Sequence, residues 1–104
     1  MKRFEDIHGR RIRLTEERQE HIETDHPEIL GQIDEIENTL LNPDIIVRSR
    51  VDPQVELFYR YYKGTLVAEK YLCLVVKVLV DDQFIITAYF TDTMKGGEIL
   101  WERK

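Results

Sequence analysis

The strongest pattern in the chain is a pair of adjacent runs rich in β-branched and aromatic residues, Lys70–Val80 and Phe84–Asp92. In both runs every second residue is apolar, which is typical of β-strands that bury one side. We predict a hairpin with the three-residue loop Asp81–Gln83, because an odd loop puts both apolar sets on the same side of the sheet. The residues of that apolar side are Leu72, Leu74, Val76, Val78 and Val80, then Phe84, Ile86, Ala88 and Phe90. An apolar side of this kind must be covered by other elements of the chain, which exclude water from it.

Helical patterns precede the hairpin. Thr15 suits a helix N-cap, and acidic residues follow it in the first turn, so we predict a first helix that runs to about Thr24. Pro27 favours a break and a new start, which predicts a second helix over Pro27–Leu41. The apolar residues of this second helix recur at helical spacing, and they are Ile29, Ile33, Ile36 and Leu40. We expect them to cover the apolar side of the sheet.

Shorter alternating segments predict the remaining strands. Phe4–Leu14 indicates a short hairpin or an extended entry segment, Ile45–Val51 and Val55–Tyr62 indicate two strands, and Ile99–Trp101 indicates a closing strand. Helices followed by a run of strands predict an α+β domain, with two N-terminal helices packed on one face of an antiparallel meander of four to five strands. A length of 104 residues fits a single domain spanning 1–104.

The composition indicates an ordinary soluble globular protein, with 42% hydrophobic and 34% charged residues. No apolar run is long enough for a membrane span, and the first ten residues lack the apolar region of an export signal. Cys73 is the only cysteine, which excludes an internal disulfide and a thiolate metal cluster. We therefore expect a cytoplasmic protein without a membrane partner.

The charge is unevenly distributed along the chain. The net charge of −5 by itself argues against nucleic-acid binding. However, residues 15–44 contain ten acidic and one basic residue, a net charge of −9, whereas residues 45–77 contain six basic and three acidic residues, a net charge of +3. Because a ligand responds to the local field, a basic patch on this acidic protein is compatible with an anionic ligand.

Cations and hydroxyls alternate with apolar residues on four consecutive predicted strands. With the helices on the apolar side, the open side would display some of Arg48, Arg50, Arg60, Lys77, Thr87 and Tyr89. Such groups suit a phosphate. Single arginines, and a threonine or tyrosine on a strand, also have an ordinary structural explanation. Lys77 differs, because its neighbours in the strand are apolar and a charge there needs a partner or a function.

His21 and His26 are candidates for proton transfer, because histidine titrates near neutral pH. Their spacing of five residues puts them about 140° apart on a continuous helix, which argues against a shared metal ion. The structural alternatives are a pairing of His21 with Asp25 or Arg18 and a capping role for His26 before Pro27. A histidine, several cations and hydroxyls together could cleave a phosphodiester without a metal or cofactor.

The chain also resembles known proteins. The resemblance covers about Arg13–Trp101, and its most specific parts are HIETDHPE, the strand YRYY, the strand VVKV, and ITAYFTD followed by Lys95-Gly96. In their order and spacing these segments resemble the phage-associated nuclease-like families of the barnase/EndoU/colicin/RelE-like (BECR) fold. The resemblance implies two N-terminal helices on a curved antiparallel sheet of about four strands.

The same resemblance implies a metal-independent endoribonuclease, toxin-like or phage-associated, with RNA as the substrate and an antitoxin or immunity protein as a possible partner. The catalytic residues that it implies are His21, His26, Arg60, Lys77, Thr87 and Tyr89. We further expect the nucleic acid to be bound by Arg48, Arg50, Lys70 and Lys95. The alternatives are a catalytically inactive RNA- or protein-binding module of the same fold, and an interaction protein whose acidic helix 27–41 docks a basic partner.

Overall fold

The computed structural model describes the backbone of residues 1–65 and 68–104, and the side chains of these residues apart from 64, 65, 68 and 69. It contains two α-helices, α1 (Glu16–Asp25) and α2 (Ile33–Leu41), and a short 3-10 helix over Pro27–Ile29. The strands are β1 (Lys2–Glu5), β2 (Arg11–Leu14), β3 (Ile45–Arg48), β4 (Val55–Thr65), β5 (Ala68–Val78), β6 (Gln83–Thr91) and β7 (Glu98–Glu102).

The seven strands form one mixed sheet in the order β1-β2-β6-β5-β4-β3-β7. The α+β class is confirmed. The predicted four to five strands in a purely antiparallel meander are wrong, because the meander β3 to β6 is extended at both edges. The hairpin β1–β2 joins β6 in parallel, with Arg13 opposite Phe84, and β7 joins the far edge beside β3. Both contacts are between segments distant in sequence, which strand periodicity cannot reveal.

The helices cover one side of the sheet, as predicted. Ile36 and Leu40 of α2 pack in one buried cluster with Leu72 and Leu74 of β5. The predicted N-cap is confirmed, since Thr15 Oγ1 accepts a hydrogen bond from the Arg18 backbone N–H at 3.1 Å. Burial of the apolar side of α2 contributes more to the stability of such a short helix than its intrinsic helix propensity does.

The predicted single helix over Pro27–Leu41 is wrong, because it is divided into the 3-10 helix and α2. Gly31 lies at the division with a φ of +80°, a left-handed conformation that other residues adopt only with strain. Ile29 is nevertheless buried with the α2 stripe. The helical spacing therefore identified the covered face correctly, although it could not show the break.

The predicted register of the β5–β6 hairpin is partly wrong. Val78 lies opposite Gln83, so the connection is the four-residue segment Leu79–Asp82 rather than a three-residue loop. A β-bulge follows at residue 86 of β6, between the pairs Val76–Ile85 and Val75–Thr87. Because the bulge adds one residue, Ala88 and Phe90 lie on the helix side as predicted, whereas Ile85 replaces Phe84 and Ile86 there. Val80 is fully exposed.

The face of the sheet opposite the helices is called here the open face. Its buried residues form a second apolar cluster, which consists of Val47, Val55, Leu57, Tyr59 and Cys73. Residues 92–97, the crossing segment, run from β6 to β7 past the three intervening strands. The backbone N–H of Lys95 donates to the Tyr59 hydroxyl at 3.0 Å, so the crossing segment lies over this face.

Glycine is required where the crossing segment meets β3. A Cβ atom at Gly97 would lie 2.2 Å from the backbone carbonyl oxygen of Arg48, a distance that no side chain tolerates. The pair Gly96-Gly97 therefore permits the close approach of the crossing segment to the sheet. None of the helices in the described part of the chain has the length and apolar character needed to cross a membrane.

The packing of α2 generates a stability prediction. Leu40 is fully buried, whereas 39% of its neighbour Leu41 is exposed. We expect Leu40→Ala to lower the free energy of unfolding by about 2–5 kcal/mol through lost burial and a residual cavity. Leu41→Ala is the matched control and should change it by about 0.5 kcal/mol or less. Chemical denaturation measures both, and equal effects would contradict this placement of α2.

Candidate active site on the open face

His26 lies between α1 and the 3-10 helix, both of which contact β6. It is the C-cap residue of α1, and its backbone N–H donates to the Ile22 carbonyl at 2.7 Å. Its imidazole lies beside the ring of Tyr89, with ring centroids 5.6 Å apart and planes inclined at 32°. One third of the His26 side chain is exposed, and its Nδ1 is 3.8 Å from Glu28 Oε2. A capping residue thus presents a titratable ring at the rim of the open face.

Tyr89 connects His26 to the centre of the open face. It pairs across the strands with Cys73, which in turn pairs with Tyr59. The two hydroxyls lie near the Cys73 thiol. Burial raises the pKa of Tyr59 to about 12, and burial also raises the pKa of Tyr89. Both phenols therefore stay protonated at neutral pH and can donate hydrogen bonds. Burial raises the pKa of the Cys73 thiol as well, so this cysteine is not an activated nucleophile.

A groove of about 550 Å³ lies on the same face, between the β3–β4 turn and the crossing segment. Its floor is apolar and consists of Val55, Leu57 and Val75. Arg50 and Lys95 line its sides. Arg50 is exposed and forms no hydrogen bond or ion pair with any residue in the described ranges. The groove thus combines an apolar floor with uncompensated positive charge.

Lys77 and Thr87 are also on the open face, beside the groove. Lys77 lies opposite Val55, and Thr87 lies opposite Val75. The Lys77 Nζ is 2.5 Å from Asp52 Oδ2, so this mid-strand charge has the partner that its apolar neighbours require. The hydrogen bond from Lys77 holds the pKa of the Asp52 carboxyl below its usual value. A phosphate that contacts Lys77 must therefore compete with Asp52.

Two of the six candidates for the open face, Arg48 and Arg60, lie on the other side of the sheet. Phe58 and Ile46 are buried under the helices. Strand alternation places Arg60 on the same side as Phe58, and Arg48 on the same side as Ile46. The Arg60 guanidinium donates to the Asn42 carbonyl. The remaining predictions were Arg50, Lys77, Thr87 and Tyr89, and these residues do share the open face.

The other predicted site residues are further from this centre or already paired. The Arg48 guanidinium is 2.9 Å from Glu98 Oε1 and donates to the Pro53 carbonyl. Lys70 forms an ion pair with Asp92 at 2.8 Å. His21 is exposed on α1, and its side chain has no hydrogen bond, ion pair or ring contact within the described residues. Of the two histidines, it is therefore His26 that contacts the open face.

Sequence reasoning did not identify Tyr59 or the groove. Tyr59 is a strand residue in an alternating pattern, and only the fold shows that its hydroxyl binds the crossing segment. The available signal was the glycine pair after Lys95, since adjacent glycines mark a close backbone approach. Within the part of the chain that the structure describes, no three His, Cys, Asp or Glu residues are grouped for metal binding.

Most acidic residues of the helices belong to α1 and α2, which cover the side of the sheet opposite the open face. Those exposed on α1 and α2 include Glu16, Glu17, Glu20, Asp34 and Glu37. Their charge repels an anion mainly from the helical side of the molecule, whereas Glu28 of the 3-10 helix lies beside His26 at the rim of the open face. The positive charge of Arg50 and Lys95 is on the side where His26 and Tyr89 meet. The face thus offers cations, hydroxyl donors and an imidazole to an anionic ligand.

Comparison with known proteins identifies the family of the chain. No curated protein and no solved structure matches the chain. One family model matches residues 1–102, which is almost the whole chain, and it is described as phage-Barnase-EndoU-ColicinE5/D-RelE like nuclease2. The resemblance noted in the sequence is confirmed. The chain belongs to this phage-associated family of nuclease-like proteins.

Proposed function

We propose that the protein is an endoribonuclease that cleaves RNA on the open face without a metal ion. The observation that carries the proposal is the pairing of His26 with Tyr89 at the rim of a face that also holds the cations Arg50 and Lys95. Membership of a nuclease-like family supports a phosphodiester as the substrate. A 2′-hydroxyl supplies an internal nucleophile, so these residue types are sufficient for chemistry on RNA.

In the proposed reaction His26 acts as the general base. It takes the proton of the 2′-hydroxyl, whose oxygen attacks the adjacent phosphorus. The bond from phosphorus to the 5′-oxygen then breaks, and the leaving oxygen takes a proton from the Tyr89 hydroxyl. Burial raises the pKa of Tyr89, but an alkoxide is still the stronger base, so the transfer remains favourable. The products are a 2′,3′-cyclic phosphate and a 5′-hydroxyl end.

The cations would stabilise the charge that develops on the phosphorane. Lys95 and Arg50 are free to contact phosphate oxygens, and such preorganised charges are often the largest contribution to catalysis. The Thr87 hydroxyl, beside Val75, would donate a further hydrogen bond. Lys77 would contribute once the phosphate displaces Asp52 from its ammonium group.

One observation favours the alternative, an RNA-binding module without catalysis. The charge of Lys77 is already compensated by Asp52, so one of the expected catalytic cations is engaged in an ion pair. In that case the open face would hold RNA through Arg50 and Lys95 alone. A toxin-like nuclease would in addition need an antitoxin or immunity protein, which would act by covering the same face.

The first test is cleavage of a mixed RNA pool in EDTA by the wild type and by His26→Ala. We expect cleavage by the wild type with 2′,3′-cyclic phosphate ends, and a loss of about 10²- to 10⁴-fold in kcat for His26→Ala, the usual contribution of general acid–base catalysis.

Two further histidines make this test specific. His8→Ala is the matched control, because His8 is exposed in the β1–β2 turn and should be dispensable. Strand β2 pairs with β6 at Phe84, five residues from Tyr89. His21→Ala tests the role that the resemblance gives to His21. If well-folded wild-type protein cleaves none of several RNAs but binds them, the binding module is the better description. If only His21→Ala is inactive, the assignment of His26 is wrong.

The second test separates the roles of His26 and Tyr89. Tyr89→Phe keeps the ring beside His26 and removes only the hydroxyl, so kcat on RNA should fall by about 10²-fold or more. A uridine 3′-(p-nitrophenyl phosphate) substrate has a leaving group that needs no proton. Tyr89→Phe should therefore cleave it almost as fast as the wild type, whereas His26→Ala should remain impaired. Equal losses on both substrates would contradict an acid role for Tyr89.

A further inference from the structure

The groove beside the candidate catalytic residues has one feature that the cleavage reaction does not use, its apolar floor. Its floor of Val55, Leu57 and Val75 is apolar, yet its sides carry Arg50 and Lys95. Catalysis on a phosphodiester needs cations and proton donors, but it has no need for an apolar cavity of about 550 Å³. A ligand that fits both features must be flat and apolar in one part and anionic in another.

The Arg50 side chain lies against the crossing segment. A Cβ atom at Gly96 would lie 2.8 Å from Arg50 Nη2 and 3.1 Å from its Cζ, so the guanidinium packs directly against the glycine backbone. Any larger residue at this position would displace it. Arg50 nevertheless has no hydrogen-bond or ion-pair partner among the described residues. An unpaired guanidinium beside the groove is suited to a phosphate or to the face of a base.

The position of the groove relates it to the candidate catalytic residues. Val75 of the floor lies opposite Thr87, and Cys73, two residues along the same strand, lies opposite Tyr89. Two residues of a strand span roughly 7 Å. A nucleotide in the groove would therefore lie next to the phosphate at His26 and Tyr89, on the same strand of RNA.

We infer that the groove is a nucleobase subsite, in which one base of single-stranded RNA lies on the apolar floor while Arg50 and Lys95 hold its phosphates. The inference rests on the proposed function for its choice of RNA, and it assigns the groove to substrate recognition. Base binding to a side-chain platform favours single strands, because the base must leave its stack to enter the groove.

The test measures binding of a short RNA oligonucleotide whose 2′-hydroxyls are all methylated, since it cannot be cleaved by 2′-oxygen attack. An abasic oligomer of the same length and charge is the second ligand. We expect wild-type protein to bind the base-containing oligomer about 5- to 100-fold more tightly than the abasic one. Fluorescence anisotropy at several salt concentrations gives both affinities and their salt dependence.

Two variants test the two parts of the subsite. Arg50→Ala should weaken binding of both oligomers by about 10-fold or more, and should reduce the slope of log affinity against log salt by about 0.7. Val75 is a partly exposed residue of the floor, and Val75→Phe would place a larger side chain in the groove. This substitution should weaken binding of the base-containing oligomer by about 10-fold and leave binding of the abasic oligomer unchanged. Unfolding curves confirm that both variants are folded.

Arg11→Ala is the matched control. Arg11 is exposed, has no ion pair or hydrogen bond through its side chain within the described residues, and lies on β2, beyond β6 in the sheet order. Arg11→Ala removes the same charge as Arg50→Ala, but at a distance from the groove. Equal weakening by the two substitutions would show that only net charge matters, and would overturn the subsite.

The outcomes separate this inference from the proposed nuclease function. If Arg50→Ala and Val75→Phe bind both oligomers like the wild type, or if the abasic oligomer binds as tightly as the complete one, the subsite is overturned even when RNA is cleaved. If the wild type cleaves no RNA but the variants lose binding as expected, the subsite stands and the nuclease function fails. If the wild type binds neither oligomer, the subsite is overturned.

Discussion

The arrangement of the open face depends on the path of residues 92–97. Strand β6 ends on one side of the meander and β7 lies beyond β3, so this segment must cross β5, β4 and β3. It crosses on the side without helices and is fixed there by the hydrogen bond from Lys95 to Tyr59 and by the contact of Gly97 with β3. The crossing converts a flat apolar surface into a groove with a cationic wall.

The two sides of the sheet thereby acquire opposite electrostatic character. The side under α1 and α2 carries the acidic surface of the helices, and its arginines are neutralised by nearby oxygens, as Arg10 is by Asp6 and Glu56. On the open face, Arg50 and Lys95 have no such compensation among the described residues. A protein with a net charge of −5 can therefore still attract an anion to one face.

The bulge in β6 has a comparable effect on the candidate active site. In a regular strand Ile85 and Ala88 would point to opposite faces of the sheet, because successive side chains alternate. With the bulge, Ile85 and Ala88 are both buried under the helices, while Thr87 and Tyr89 lie on the open face beside Val75 and Cys73. His26 then reaches Tyr89 because it ends α1 where that helix contacts β6. The rings of His26 and Tyr89 are thus positioned by regular structure and its termini.

The sequence alone determined what is local. Apolar periodicity identified the α2 stripe and the central strands, Thr15 was predicted as an N-cap, and alternation placed Lys77 and Tyr89 on the face away from the core. It could not decide the sides of Arg48 and Arg60, choose between His21 and His26, or show the groove. Each of these depends on contacts between segments that are distant in sequence. The crossing segment lies over β4, β2 pairs with β6, and α1 packs against β6. Periodicity reports which side of an element is buried, whereas only tertiary packing decides which elements meet.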